Sequence, residues 1–271
     1  MIRLLKMIRA KGCGTALAVL CSVMTGACAQ VLPADSGPVR LGHLHIVSAN
    51  PEAQEKFWTG VLGLPKHSNP PYEIYLVPGA LIVVQKGSPA GGTDESVVRH
   101  IGFKVRDFEG VLAKCQSSGI TVVSHNERQA MLEIADSLRV ELTADPAMPT
   151  ALATHHLHFY GRDTNEMRNW YDDVFGAKPG MRGQFIAADL PGINLTFAKS
   201  AEAMAGTKGR SLDHIGFEVQ GLEAFTKKLQ SSGITLVVPY RQVPSLGIAV
   251  AFVADPWGTL IELTEGLDKV Q

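Results

Sequence analysis

Four short apolar runs, each opening with a histidine, recur along the chain. They are rich in β-branched and aromatic residues and are too short for helices, which predicts strands. The four runs cover residues 43–48, 100–105, 156–161 and 214–219. Each run leads into an amphipathic stretch and then into further short apolar runs. The pattern therefore predicts a repeated order of one strand, one helix and three strands.

The helix after the third run has the clearest signals. Asp163 is followed three residues later by Glu166, the spacing of a capping box, and Gly176 supplies a helical stop. The apolar positions between these signals follow helical spacing. They are Met167, Trp170, Tyr171, Val174 and Phe175.

The repeat extends to the whole chain. Residues 99–123 match residues 213–237 with an offset of 214 − 100 = 114, and residues 42–47 match 155–160 with an offset of 156 − 43 = 113. Two near-equal offsets indicate duplication of about half the chain. We therefore predict an α+β protein of four βαβββ modules, at about 40–86, 97–145, 154–199 and 211–265, grouped into domains 30–147 and 148–271.

Residues 1–29 differ from the rest and are typical of a secretory signal peptide. Four basic residues precede a short apolar run, and they are Arg3, Lys6, Arg9 and Lys11. The small residues around Cys28 then resemble a cleavage site. We expect export to the periplasm or the medium. An uncleaved anchor and a lipoprotein anchored at Cys28 are the two alternatives.

The composition of the 271 residues narrows the partners. Hydrophobic residues make up 45% and charged residues 19%, with a formal net charge of −1 and no basic stripe. These values predict a folded core and argue against binding to nucleic acid or to an anionic membrane surface. Cleavage after residue 29 would leave Cys115 as the one thiol, so no internal disulfide is expected. A small-molecule partner is favoured, and a homodimer is compatible with the sequence.

The histidines occupy equivalent positions in the four modules, and two carboxylates interrupt apolar final strands. Glu141 and Glu262 are those carboxylates, and burying either without a cation would be costly. Two histidines and one carboxylate can hold a divalent ion with open positions for substrate. Grouped by chain halves, the predicted ligand sets are His156, His214 and Glu262, and His43, His100 and Glu141.

Two segments resemble the vicinal oxygen chelate superfamily, which includes glyoxalases, bleomycin-resistance proteins and extradiol dioxygenases. They are HHLHFYGRDTNEMRNWYDDVFGA at 155–177 and DPWGTLIEL at 255–263. The resemblance implies that mixed sheets curl into two half-barrels around a metal site, with ligands from the first and last strands of the modules. The remaining ligand places fall at Val83 and Thr196, with Gln85 and Asn194 two positions away, so a three-ligand site is expected.

The resemblance implies a metal-dependent enzyme that acts on a small oxygenated molecule. The metal would be iron, manganese, zinc or nickel, and lyase, isomerase and dioxygenase chemistry stay open. Phe252 stands where extradiol enzymes carry a tyrosine, so His158 and Tyr240 are the candidate catalytic residues, with His45 as a further pocket histidine. The alternative is a metal-free binding protein of the bleomycin-resistance type. The complete DPWG turn favours the second half as the working site.

Overall fold

The computed structural model describes residues 31–269. The predicted signal peptide and the lipid anchor at Cys28 lie outside this range. Among the described residues, no helix combines the length and apolar character needed to cross a membrane.

Each of the four modules contains one strand, one helical segment and three further strands, as the hydrophobic pattern predicts. Module one comprises β1 (Val39–Ser48), α1 (Pro51–Glu55, extended by a π-helical turn Lys56–Val61), β2 (Lys66–Asn69), β3 (Tyr72–Val77) and β4 (Ala80–Lys86). Module two comprises β5 (Val98–Val105), α2 (Phe108–Ser117), β6 (Thr121–His125), β7 (Gln129–Ile134) and β8 (Leu138–Ala144). Module three comprises β9 (Leu152–Gly161), α3 (Thr164–Phe175), β10 (Lys178–Arg182), β11 (Phe185–Leu190) and β12 (Ile193–Lys199). Module four comprises β13 (Leu212–Val219), α4 (Leu222–Ser231), β14 (Leu236–Val243), β15 (Ile248–Ala254) and β16 (Leu260–Glu265).

The ends of α3 follow the predicted signals. The side chain of Asp163 accepts hydrogen bonds from the backbone N–H groups of Asn165 and Glu166, which would otherwise lack partners at the helix start. Gly176 ends the helix with φ 70°, a left-handed conformation that glycine adopts without strain. Met167 and Tyr171 are buried on the inner face of the helix.

The strands form two eight-stranded mixed sheets, and neither sheet is built from one half of the chain. The first sheet has the order β14-β15-β16-β13-β1-β4-β3-β2 and joins module four to module one. The second has the order β10-β11-β12-β9-β5-β8-β7-β6 and joins module three to module two. The domains 30–147 and 148–271 therefore describe the duplication and do not correspond to the two sheets.

Helix packing connects the modules that the sheets separate. Trp58 of module one lies 5.8 Å from Phe103 of module two, measured between ring centroids, and Phe175 of module three lies 5.1 Å from Phe217 of module four. The hydroxyl of Tyr171 also donates a buried hydrogen bond of 2.9 Å to Asp255, in the DPWG turn. Each half of the sequence is thus held together by its helices and by the shared core.

Cys115 lies fully buried on α2 as a free thiol. Burial raises the pKa of this thiol to about 11, so it packs as a small apolar group.

Candidate metal centres

The first histidine cluster lies at the centre of the first sheet, where β1, β13 and β16 run side by side. The Nε2 atoms of His43 and His214 each lie 3.0 Å from Oε2 of Glu262. Gly216 pairs with His43 on one side and with Glu262 on the other, which brings these two side chains together over the glycine. Three donor atoms from three adjacent strands therefore converge on one point.

Glycine is required between the strands at both clusters. A Cβ atom on Gly216 would lie 2.1 Å from Nδ1 of His43, and one on Gly102 would lie 2.1 Å from Nδ1 of His156. Such a separation is far inside van der Waals contact, so a side chain there would displace the ring. Both glycines belong to the repeated His-Ile-Gly-Phe segment. They clear the space that an opposing histidine occupies.

The donors of the first cluster fit a divalent metal ion. Neighbouring donors of an octahedral site with bonds of ~2.1 Å are separated by ~3.0 Å, and the two His–Glu distances in this cluster are 3.0 Å. Two imidazoles and one carboxylate also match a common ligand set for divalent transition metals.

Asp213 orients His214 for this role. Nδ1 of His214 lies 2.6 Å from Oδ1 of Asp213, so the imidazole donates its Nδ1 proton there, and this hydrogen bond orients Nε2 toward Glu262. Burial lowers the pKa of His214, but the hydrogen bonds to Asp213 and Glu262 outweigh burial and raise it. Burial acts in the opposite direction on Glu262, yet the hydrogen bonds from His214 and His43 hold the pKa of this carboxyl well below its usual range.

His45 adds a third nitrogen donor to the first cluster. Its ring stacks on that of His214 with centroids 4.3 Å apart, and its Nε2 lies 3.2 Å from Oε1 of Gln85. The donor atoms of His43, His45 and His214 all lie within 4.8 Å of one another. Burial, together with the two neighbouring imidazoles, lowers the pKa of His45 to about 3, so the ring is neutral. On β4, Gln85 is the residue that contacts the cluster.

A cavity of about 460 Å³ opens above the first cluster. Residues from both ends of the sheet line it, with Tyr72 on β3 and Arg241 on β14. The sheet must therefore curl around the cavity, since these strands lie far apart in its order. The walls are mostly aliphatic or aromatic, formed by Ile74, Leu81, Val83, Val250 and Phe252.

The second cluster lies at the equivalent place in the second sheet, and its donors are less regular. Nε2 of His100 lies 3.0 Å from Nε2 of His156 and 3.3 Å from Nδ1 of His158. The Glu141 carboxylate is more distant, with His100–Oε2 and His156–Oε1 separations of 3.5 Å and 3.9 Å. Burial, with the charges of His100 and Arg182, lowers the pKa of His156 far below its usual range.

Arg182 distinguishes the second cluster from the first. Its Nη2 lies 3.3 Å from Oε1 of Glu141, and the same oxygen accepts hydrogen bonds from Gln129 and Thr143. Burial opposes ionisation of Glu141, but His100, Arg182 and Thr143 lower its pKa to about 2. The carboxylate of this cluster therefore already has a cation beside it. The sequence contained no signal for Arg182, because its position on β10 becomes relevant only in the assembled sheet.

The predicted ligand residues come together, but in a different grouping. The set of His156, His214 and Glu262 and the set of His43, His100 and Glu141 are wrong as sets, because each takes one histidine from the other sheet. The observed sets are His43, His214 and Glu262, and His100, His156 and Glu141. The duplication identifies equivalent strands, and it does not determine which first strands pair.

Neither candidate catalytic residue lies at the first cluster. His158 belongs to the second cluster, while Tyr240 packs against the hydrophobic core. Arg241 and Val243 line the cavity, and alternation along β14 turns Tyr240 to the other face. Thr196 and Asn194 hydrogen-bond to each other, at 2.6 Å.

Comparisons with known proteins agree with the fold and the motifs. Residues 153–263 match the profile of the Glyoxalase/Bleomycin resistance protein/Dioxygenase superfamily. Glyoxalase I from Zea mays superimposes with a TM-score of 0.68 at 14% identity, covering 85% of this chain and 94% of that one. A putative dioxygenase from Bacillus subtilis gives 0.64 at 14% identity, covering 83% and 84%.

A search of the curated proteins finds no match. The structural likeness extends over both halves of the chain, and the profile match covers modules three and four. Together with the four βαβββ modules, these findings show a glyoxalase-type fold over both halves of the chain and a match of modules three and four to the Glyoxalase/Bleomycin resistance protein/Dioxygenase superfamily.

Proposed function

We propose that the protein is a divalent-metal-dependent enzyme acting on a small oxygenated organic molecule at the first cluster. One observation carries the proposal: His43, His214 and Glu262 bring three donor atoms to one point at the floor of a cavity. Burying an ionised carboxylate is costly without a cation, and beside Glu262 the described residues place imidazoles and no guanidinium or ammonium group. A bound metal would supply that charge.

The donor set suits iron, manganese, zinc or nickel. A divalent ion held there would polarise substrate oxygens and stabilise developing negative charge. The protein's own contribution is to keep Glu262 ionised, to fix the His214 ring through Asp213, and to enclose the reacting groups in largely apolar walls.

His45 is the side chain we assign to proton transfer. It lines the cavity and lies beside the ligand set, so a substrate bound there would bring a transferable proton next to its imidazole. Gln85 holds its Nε2 at 3.2 Å and thereby orients the ring. Phe252 also lines the cavity and offers no proton. We therefore favour redox-neutral lyase or isomerase chemistry over ring cleavage with oxygen.

The second candidate function is metal-free binding of a small molecule. The predominantly apolar walls of the cavity favour it, because such walls bind ligands without catalysis. Metal content separates the two functions, since a binder would retain its ligand affinity after removal of divalent ions.

We also propose that the chain is exported and acts in the periplasm or the medium. The basic and apolar pattern of residues 1–29 supports this, and a core with one free cysteine needs no disulfide for stability. Fractionation of cells that produce the full chain tests it: unprocessed protein confined to the cytoplasm would contradict export. Radiolabelled palmitate on Cys28 would identify the lipoprotein form.

The experiment for the enzyme proposal is elemental analysis of residues 30–271. We expect about one divalent ion per chain, lost in His43→Ala, His214→Ala and Glu262→Ala and retained in the matched variants His100→Ala and Glu141→Ala. Retention of the ion in the first three variants, or absence of any ion after supplementation with each metal, would overturn the proposal.

A further inference from the structure

An arginine stands at the mouth of the first cavity. Arg241 lies on β14 opposite Val250, and its exposed side chain lines the cavity. Within residues 31–269, no carboxylate lies within ion-pairing distance of its guanidinium, whereas Arg182 at the second cluster is paired with Glu141. A guanidinium keeps its charge at any physiological pH and binds carboxylate, sulfonate and phosphate groups through paired hydrogen bonds.

Between this arginine and the histidines the cavity is apolar. Val250, Ile248 and Phe252 form the wall on β15, and Val83 faces them from β4. Leu246 stands at the rim with 41% of its surface exposed and extends the apolar wall toward the mouth. A ligand that reaches from the mouth to the histidines must therefore have a middle section that tolerates apolar contact.

The sheet register sets the distance between the two polar ends. Arg241 pairs with Val250, Val250 pairs with Thr264, and Glu262 is two residues from Thr264 along β16. Strands ~4.8 Å apart and a rise of ~3.4 Å per residue place the Arg241 backbone roughly 12 Å from that of Glu262. An extended arginine side chain shortens this span, so a bound anion would lie on the order of 6–10 Å from the histidine nitrogens.

The hairpin that carries Arg241 is specific to the first sheet. The paired positions Leu236 and Val253 are separated by 253 − 236 = 17 residues, whereas the equivalent pair, Val122 and Leu132, is separated by 132 − 122 = 10. The seven additional residues extend β14 and β15 and supply much of the cavity wall. The second sheet therefore has no equivalent of this wall or of its arginine.

We infer that the substrate of the first cluster is an organic anion with an apolar middle: an oxygen-bearing group at one end reaches His43, His214 and Glu262, and a carboxylate or similar anionic group at the other end binds Arg241. This inference deepens the proposed function and rests on it. Arg241 then selects substrates by their negative charge and by their length, from a position remote from the reacting atoms.

Two probes of equal length test the inference. Octanohydroxamic acid offers two chelating oxygens and an apolar tail, and 8-(hydroxyamino)-8-oxooctanoic acid adds a carboxylate at the far end. Calorimetric titration of the metal-loaded chain, residues 30–271, should show about fivefold to tenfold tighter binding of the carboxylate-bearing probe. A pair built on four carbons should show no such preference, because its carboxylate cannot reach Arg241.

The variants make the preference specific. Arg241→Gln should bind the two eight-carbon probes with equal affinity, while Arg162→Gln, which removes the same charge from an exposed position outside the cavity, should keep the preference of the unmodified chain. Salt should reduce the preference in the unmodified chain and leave Arg241→Gln unaffected. Equal affinities in the unmodified chain, or a preference that survives Arg241→Gln, would overturn the inference.

A metal-free titration separates this inference from the proposed function. If no metal contributes, stripping divalent ions will leave hydroxamate affinity unchanged, and the enzyme proposal fails. Octanoate should nevertheless bind the stripped protein more tightly than 1-octanol, and Arg241→Gln should remove that difference. If hydroxamate affinity does not depend on metal but octanoate still binds more tightly than 1-octanol, Arg241 remains an anion site. If neither the metal dependence nor the octanoate preference is found, the inference about Arg241 is overturned.

Discussion

The two histidine clusters occupy equivalent places in two duplicated sheets and differ in the residues that surround the donors. Asn69 in the first sheet and Arg182 in the second occupy equivalent positions. Each is the last residue before a tight hairpin turn: Asn69 pairs with Tyr72, and Arg182 pairs with Phe185. Before the histidine of β13 stands Asp213, while Arg99 precedes the histidine of β5. The first cluster therefore has a carboxylate behind its ligands, and the second has cations.

The two clusters therefore share the same types of potential ligand and differ in the charges around them. Both proposed ligand sets hold two histidines and one glutamate, yet Glu141 has an arginine beside it, whereas within residues 31–269 the ion-pair partners of Glu262 are imidazoles. The clusters also differ in space, because the extended β14–β15 hairpin builds a cavity over the first. Four matched pairs of substitutions test this contrast between the two clusters.

Replacing the glutamates should have the largest effect. Glu262→Gln keeps the shape of the side chain and removes its charge, so we expect metal affinity to fall by more than about a hundredfold. Glu141→Gln is the matched change in the second sheet and should leave metal content unaltered. Competitive titration with a chromophoric chelator measures both. Equal losses in the two variants would mean that the clusters do not differ as described.

Adding a methyl group at Gly216 or at Gly102 should lower stability in both variants but lower metal affinity in one of them. Gly216→Ala and Gly102→Ala both force a histidine ring to move, and we expect each to lower the free energy of unfolding by about 1–3 kcal/mol. Only Gly216→Ala displaces His43, so only this variant should also lose metal affinity, by roughly tenfold to a hundredfold. Urea denaturation and chelator competition check the two effects. Loss of metal in Gly102→Ala instead would place the ion in the second sheet.

Removing the Asp213 carboxylate behind His214 should lower the metal affinity of the first cluster by a smaller factor. Asp213→Asn loses the charge that fixes the His214 ring, and metal affinity should fall about tenfold. Arg99→Gln, at the equivalent position of the second sheet, should have no effect. Dissociation rates of the ion report the change. An unchanged rate in Asp213→Asn would show that Asp213 does not orient the ligand.

Replacing Arg182 by asparagine, the residue at the equivalent position of the first sheet, should make the second cluster resemble the first. In Arg182→Asn the carboxylate of Glu141 loses its neighbouring cation, and we expect a second, weaker divalent ion to bind at His100, His156 and Glu141. Arg139→Asn, which removes an arginine paired with Glu133 elsewhere in the sheet, serves as the control. Elemental analysis should give close to two ions per chain in the first variant. Unchanged stoichiometry would show that Arg182 does not exclude metal from the second cluster.

The sequence predicted the repeated module, the capped α3 and the histidines and glutamates that meet in the two clusters, because each depends on local periodicity or on equivalence between repeats. The pairing of modules could not be predicted. It depends on which edges of first strands meet, and His45 pairs with His214 although 169 residues separate them, from 214 − 45. The roles of Arg182 and Arg241 are of the same kind, since both act through neighbours that only the assembled sheets provide.

The pairing of modules one and four also sets an order of events in synthesis. His43 and Glu262 are 262 − 43 = 219 residues apart, so the first strand must wait for nearly the whole polypeptide before its partner exists. Contacts this remote in sequence form late and slowly. The residues of the second cluster lie within 100–182 and are therefore all synthesised earlier. Under the proposed function, the first cluster can bind its metal ion only when synthesis is nearly complete, because a shorter chain contains the histidines of β1 without Glu262.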